Sequence, residues 1–167
     1  KYEEELLDRM GNDNKMVRMI INRAKTNPKK IVFSEADHID VLKAAQVVYE
    51  EGIGFPILLG KKDVILKLKK ELGFDADVPI IDPKTPEEEA RRTKFAKTYW
   101  MSRQRRGISL FDAQNLMRER NYFAAMMVNE GEADALLTGY SRSYPSVVKP
   151  MLQLIDKAPG VSLVATT

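Results

Sequence analysis

Four short apolar runs, separated by amphipathic segments, constrain this chain more than any other feature. They are Ile31-Val32-Phe33, Phe55-Pro56-Ile57-Leu58-Leu59, Val78-Pro79-Ile80-Ile81 and Ala133-Asp134-Ala135-Leu136-Leu137. Runs this short and almost continuously apolar, with Asp134 the one charged residue among them, suit strands buried on both faces, which means a parallel sheet with helices above and below it. The expected class is α/β, a three-layer αβα arrangement around a mainly parallel sheet.

The intervening segments have helical spacing. Met16, Val17, Ile20, Ile21 and Ala24 mark a helix over residues 14–26, broken by Asn27-Pro28. Val41, Leu42, Ala45, Val48 and Tyr49 mark one over residues 39–51, with Gly52 at its end. Val64, Ile65 and Leu68 lie on a third helix, stopped by Gly73. Pro56 and Pro79 suit strand beginnings, since proline cannot donate to a ladder. Thr85-Pro86-Glu87-Glu88 has the pattern of a helix start, with an N-cap, proline at the first position and acids facing the dipole. That helix should reach residue 106, where Gly107 stops it. Helices over residues 109–118, 122–130 and 146–155 follow, with a last strand over 161–165. A short helix around Leu6, Leu7 and Met10 precedes them all.

At 167 residues, with 44% hydrophobic and 31% charged, the chain has enough apolar matter for a soluble core. A net charge of +3 is too small to imply nucleic acid, and no nucleic-acid partner is expected. No apolar stretch reaches the roughly 20 residues of a membrane span. Cysteine is absent, which excludes disulfides, thiolate catalysis and cysteine-held zinc and makes a cytoplasmic location the expectation. The chain opens on a charged helical pattern without Met and stops in a strand-like segment, so a piece of a longer polypeptide is expected.

Four constellations carry possible chemistry. Gly139-Tyr140-Ser141-Arg142-Ser143-Tyr144-Pro145 follows a strand and precedes a helix, where open α/β sheets bind ligands. Arg142 offers a fork to an oxyanion, and Ser141 and Ser143 offer hydroxyls; the bland reading is a capped helix start. Arg103-Gln104-Arg105-Arg106 ends a long helix, and either a phosphate-rich ligand or the helix dipole accounts for it. Ser34-Glu35-Ala36-Asp37-His38 holds two carboxylates and the only histidine. An acid/base site is one reading; Asp37 capping the next helix with His38 exposed is the favoured one. Arg118-Glu119-Arg120-Asn121 reads as a solvated turn, with Tyr122, Phe123, Met126 and Met127 as core. The glycine patterns of dinucleotide-binding, P-loop and hydrolase-elbow proteins are missing.

Taken together, Lys30 to Asp37, Pro56 to Gly60, Arg103 to Gly107, Asn121 to Val128 and Gly131 to Gly139 resemble the phosphotransacetylases (phosphate acetyl- and butyryltransferases) in the same order. Glu4 to Gly11, Asp13-Asn14-Lys15 and Met117 to Phe123 are similar to a narrower group: the phosphotransacetylase-like domain of bacterial hybrid NADP-dependent malic enzymes. The resemblance implies a two-domain fold similar to isocitrate dehydrogenase, of which this chain would be the N-terminal half. Residues 1–29 would link to a preceding malic enzyme domain and residues 30–167 would begin the transacetylase-like domain. It also implies exchange of acetyl between acetyl phosphate and CoA, without a metal or covalent enzyme intermediate. Acyl phosphate or CoA would be held by Arg103, Gly139, Ser141, Arg142, Ser143 and Lys149. No cofactor is implied in this domain; NADP and a divalent metal belong to the malic enzyme part.

The departures matter. The transferases carry a Gly-Ala-x-His-Ser-Thr-Ala-Asp loop and then Arg-Pro. Here Arg142 stands for the His, Tyr144 for the Thr, Ser146 for the Asp and Lys149 for the Arg. Lysine cannot reproduce bidentate phosphate geometry, and Tyr144 narrows the pocket. The resemblance therefore implies a regulatory domain that binds acetyl-CoA and helps assemble a homo-oligomer. A working acetyltransferase is the alternative, and a pure assembly module built on helices such as that of residues 85–106 is the third reading. Catalytic residues are left unassigned.

Overall fold

A computed structural model describes residues 12–155. Strands β1 (Lys29–Phe33), β2 (Gly54–Leu59), β3 (Ile80–Ile81) and β4 (Ala135–Leu137) form one parallel sheet in the order β3-β2-β1-β4. Helices α1 (Asn12–Thr26), α2 (Ile39–Glu50), α3 (Lys62–Leu72), α4 (Glu89–Arg103), α5 (Leu110–Leu116), α6 (Arg120–Asn129) and α7 (Tyr144–Leu154) fill the connections. The expected helix at residues 6–10 and strand at residues 161–165 lie outside the described residues.

Side chains alternate across a strand, so a sheet covered on both sides needs two cores. Val32, Ile57, Leu59 and Ile81 pack with Phe95 and Tyr99 of α4 and Phe123, Met126 and Met127 of α6. Phe33 and Leu58 pack on the opposite face with Leu42 and Ala45 of α2 and Ile65 of α3. The three-layer α/β class is borne out. After β3 the chain crosses back to lay β4 on the far side of β1. That reversal creates a switch point at the carboxyl ends of β1 and β4, and the turn after β1 meets the loop after β4 there.

Several local expectations are corrected. Pro56 lies inside β2, a central strand, opposite Ile31. It is tolerated because the amides of Leu58 and Gly60 face β3. By alternation the amide position of residue 56 faces that side too, and β3 pairs only with Leu58 and Leu59. Val78 and Pro79 precede β3 and are not part of it. Thr85 stands before a 3₁₀ turn with Pro86 at its start, but its hydroxyl donates to the Asp82 carbonyl and does not cap. The long helix changes to 3₁₀ over Gln104–Arg106 and stops at Gly107, whose φ of 84° suits glycine. Helix α1 forms as its periodicity predicts, but Met16, Val17 and Ile20 are exposed.

Candidate functional site

The turn after β1 holds two carboxylates that face different ways. Glu35 is buried at 3% exposure. One of its oxygens accepts from the Gly139 amide at 2.8 Å, the Tyr140 amide at 3.1 Å and the Thr138 hydroxyl at 3.4 Å. The other accepts from the Ser141 amide at 2.8 Å and from the Ser141 hydroxyl. Every one of these donors belongs to the loop after β4. Gly139, at φ +104°, lets consecutive amides converge on one anion. The inward-facing loop amides are thus filled by the protein's own carboxylate.

Asp37 was expected to cap α2. Instead His38 occupies the N-cap position without a side-chain cap bond, and Asp37 forms a two-pronged pair with Arg120, at 2.6 Å and 2.6 Å. A guanidinium fork binds both carboxylate oxygens at once, which a lone helix amide cannot match. His38 is exposed as expected, with its ring 5.5 Å from that of Tyr140, whose hydroxyl donates to Asp40 at 2.5 Å. Between Tyr140, Val41, Ala44 and Leu137 lies a cavity of about 330 Å³.

Both carboxylates titrate low. Burial pushes the Glu35 carboxyl up, but the Ser141 hydroxyl and the Gly139, Ser141 and Tyr140 amides outweigh it and hold it below its ordinary 4.5. Burial also opposes ionisation of Asp37, but the hydrogen bonds and charge of Arg120 hold it below its ordinary 3.8. A depressed folded value adds stability that is full above the unfolded value and disappears as pH falls through the folded one. Stability should therefore be flat near neutrality and fall below about pH 4.5. Denaturant titrations at stepped pH check this, and the Asp37→Asn variant should show a shallower acid decline.

The cationic candidates divide between two places. Arg142 and Lys149 line one cavity of about 230 Å³ with Asn121, Ser146, Tyr122 and Glu119. Neither cation forms a hydrogen bond or ion pair to another described residue. Asn121 is fixed there: it accepts from the Thr138 hydroxyl at 2.9 Å and donates to the Ser146 carbonyl at 3.3 Å. Ser143 is the N-cap residue of α7, with its hydroxyl 3.3 Å from that of Ser146. Pro145 removes one helix-start amide, and the Ser146 amide is spent on the Ser143 carbonyl. Anion binding here therefore depends on side chains more than on the helix terminus.

Arg103 lies on another cavity, of about 270 Å³, with Arg106. Its guanidinium donates to the Gln153 carbonyl at 2.6 Å and 3.1 Å and to that of Leu152 at 3.4 Å, closing the C-terminal end of α7. Tyr99 and Tyr122 both donate to the Gln153 side-chain oxygen, at 3.0 Å and 2.7 Å. Burial, then the charge of Tyr99, pushes the Tyr122 phenol up to about 12, which keeps it a donor.

The structure thus brings Arg142 and Lys149 together, places Gly139 and Ser141 on Glu35, and separates Arg103. Sequence reasoning missed Asn121 and Arg120 as parts of this region, named Ser146 only as standing where the family's loop has Asp, and read Glu35 only as a possible acid or base. Among the described residues no group of three or more His, Cys, Asp or Glu could hold a metal, and no helix is long and apolar enough to cross a membrane.

The model of the phosphate acetyl/butaryl transferase family matches residues 15–167. This chain belongs to that family. A phosphate acetyltransferase of Thermoanaerobacterium thermosaccharolyticum is 35% identical over 151 residues, covering 90% of this chain and 45% of the relative. An NADP-dependent malic enzyme of Rhizobium meliloti is 29% identical over 163 residues, covering 95% of this chain and 21% of the relative. The chain thus spans less than half the length of each of these relatives. The EutD phosphotransacetylase from Staphylococcus aureus superposes with a TM-score of 0.75 at 30% identity, covering 87% of this chain and 44% of that one.

Proposed function

We propose that this chain is the first part of a phosphotransacetylase-like domain that binds acetyl-CoA, or a related acyl phosphate, to regulate and assemble a malic enzyme. One observation supports it above the others: Arg142 and Lys149, neither with an ion-pair partner among the described residues, share a cavity with the fixed side chain of Asn121. Two cations on one cavity, against the single carboxylate of Glu119, suit a phosphate or pyrophosphate group. Binding is favoured over turnover because Arg142, Tyr144, Ser146 and Lys149 stand where the transferases have His, Thr, Asp and Arg. Arg103, tied to the end of α7, contributes by seating that helix. Gly139 and Ser141 contribute through the loop that precedes Arg142, and Ser143 through the start of α7. Residues 1–29 would connect to the malic enzyme part, where NADP and a divalent metal would act. The whole would work in the cytoplasm as a homo-oligomer.

The second reading, an active phosphate acetyltransferase, is favoured by the relatives that carry that name. There the CoA thiolate would attack the acetyl carbon of acetyl phosphate, the carbon–oxygen bond to phosphate would break, and phosphate would leave with its charge met by cations. Assays on the native protein separate the two. The regulatory reading expects malate decarboxylation to fall on addition of acetyl-CoA, a weaker response in Arg142→Ala, and no acetyl-CoA from acetyl phosphate and CoA. Formation of acetyl-CoA at enzymic rates would establish the second reading instead.

A further inference from the structure

We infer that Glu35 is a positioning residue whose buried carboxylate fixes the Gly139–Ser141 loop so that Arg142 is presented to the bound anion. The inference rests on the proposed anion site at Arg142 and Lys149, and adds what holds that site in shape.

The donors to Glu35 are unusual in number and origin. Three consecutive amides, at Gly139, Tyr140 and Ser141, and the hydroxyls of Ser141 and Thr138 all point at one carboxylate. A left-handed residue bends the backbone so that successive amides can converge on one anion, and Gly139 at φ +104° supplies that bend. Without an anion at their focus the amides would repel one another and the loop would relax. Glu35 is 3% exposed and all of its hydrogen-bond donors come from this loop, with the Arg120 charge acting on it without a hydrogen bond. Arg142 is the next residue after the gripped segment, so its origin is set by where the grip ends. The same turn also holds the opposite wall: Asp37 clamps Arg120, and the neighbouring residue Asn121 lines the Arg142 cavity. Thr138, whose single hydroxyl proton is shared between Asn121 at 2.9 Å and Glu35 at 3.4 Å, joins the two arms.

A rival explanation makes the opposite prediction. If Glu35 merely occupied an anion hole meant for the ligand, removing its charge would free the amides and strengthen phosphate binding. A positioning role predicts weaker binding. The test uses the native protein and the variants Glu35→Gln, Arg142→Ala, their double combination and Ser141→Ala, titrated with inorganic phosphate and with acetyl phosphate. Glu35→Gln should weaken both by about tenfold or more, the size of a lost charge-assisted contact. It should also speed tryptic cleavage after Arg142. The double variant should bind no worse than Arg142→Ala alone, because one effect acts through the other. Ser141→Ala keeps the carboxylate and all three amides, so it should fold and show a smaller loss in the same direction.

Tighter binding in Glu35→Gln, additive losses in the double variant, or unchanged cleavage at Arg142 would overturn the inference. Loss in Arg142→Ala with none in Glu35→Gln or Ser141→Ala would overturn it too, while leaving the anion site standing. No loss in Arg142→Ala overturns the anion site itself, and the inference with it.

Discussion

Phe123→Ala should lower the stability of the fold by about 3–5 kcal/mol, the range for emptying an aromatic site in a core. Phe123 is fully buried, its ring is 5.1 Å from that of Phe95, and it belongs to the cluster under Val32 and Ile57. The Arg91 guanidinium sits 5.6 Å from the ring and pairs with Glu88 and Glu132, so the aromatic face is closed from the solvent side as well. Removing the ring leaves a hole bounded by sheet, α4 and α6, none of which can easily move in. Chemical denaturation should show a lower midpoint with an unchanged slope. Since α6 also carries Arg120 and Asn121, anion binding should weaken only as far as the folded population falls. A loss under about 1 kcal/mol would mean that α6 is not packed on the sheet as described.

Arg120→Ala should cost about 1.5–3 kcal/mol, the range for hydrogen bonds to charged groups. The substitution leaves Asp37 without its partner, in a position where its side chain is only 17% exposed. Some water reaches the pair, so the larger penalties of fully dry ion pairs do not apply. The variant should also lose the Asp37 share of its acid sensitivity while keeping that of Glu35, since the Arg120 hydrogen bonds and charge are what hold the Asp37 carboxyl low against burial. Asp37→Asn, which keeps the shape, should cost less at pH 7 and give the same flattening at low pH. If the acid decline were unchanged in both variants, Asp37 would contribute nothing to it beside Glu35.

The fold was legible because its signals were local. Apolar runs such as Val32-Phe33 and Leu58-Leu59 alternate sides within one sheet, and the glycines at 52, 73, 107 and 131 lie at helix ends with positive φ. The inward-facing packing of Tyr122, Phe123, Met126 and Met127 followed from their type and spacing. Where prediction failed, a distant partner decided. Asp37 has the residue type and place of an N-cap, but Arg120 is 83 positions away in sequence and wins it with two bonds. Glu35 is a carboxylate in a polar corner until the chain returns 104 residues later with amides that need an anion. Pro56 offends a rule about central strands, but β3 is too short to need the missing amide. The family resemblance grouped Arg103 with Arg142 and Lys149, but did not show that Arg103 would close a helix end on a separate cavity.

The central claim is that Arg142 and Lys149 together hold the anionic part of an acyl-CoA or acyl phosphate. Calorimetric titration of acetyl-CoA into the native protein and into Arg142→Ala and Lys149→Ala tests it most directly. The account predicts saturable binding by the native protein and a loss of about tenfold or more in each variant, with folding unaffected. Equal affinity in all three proteins would contradict it.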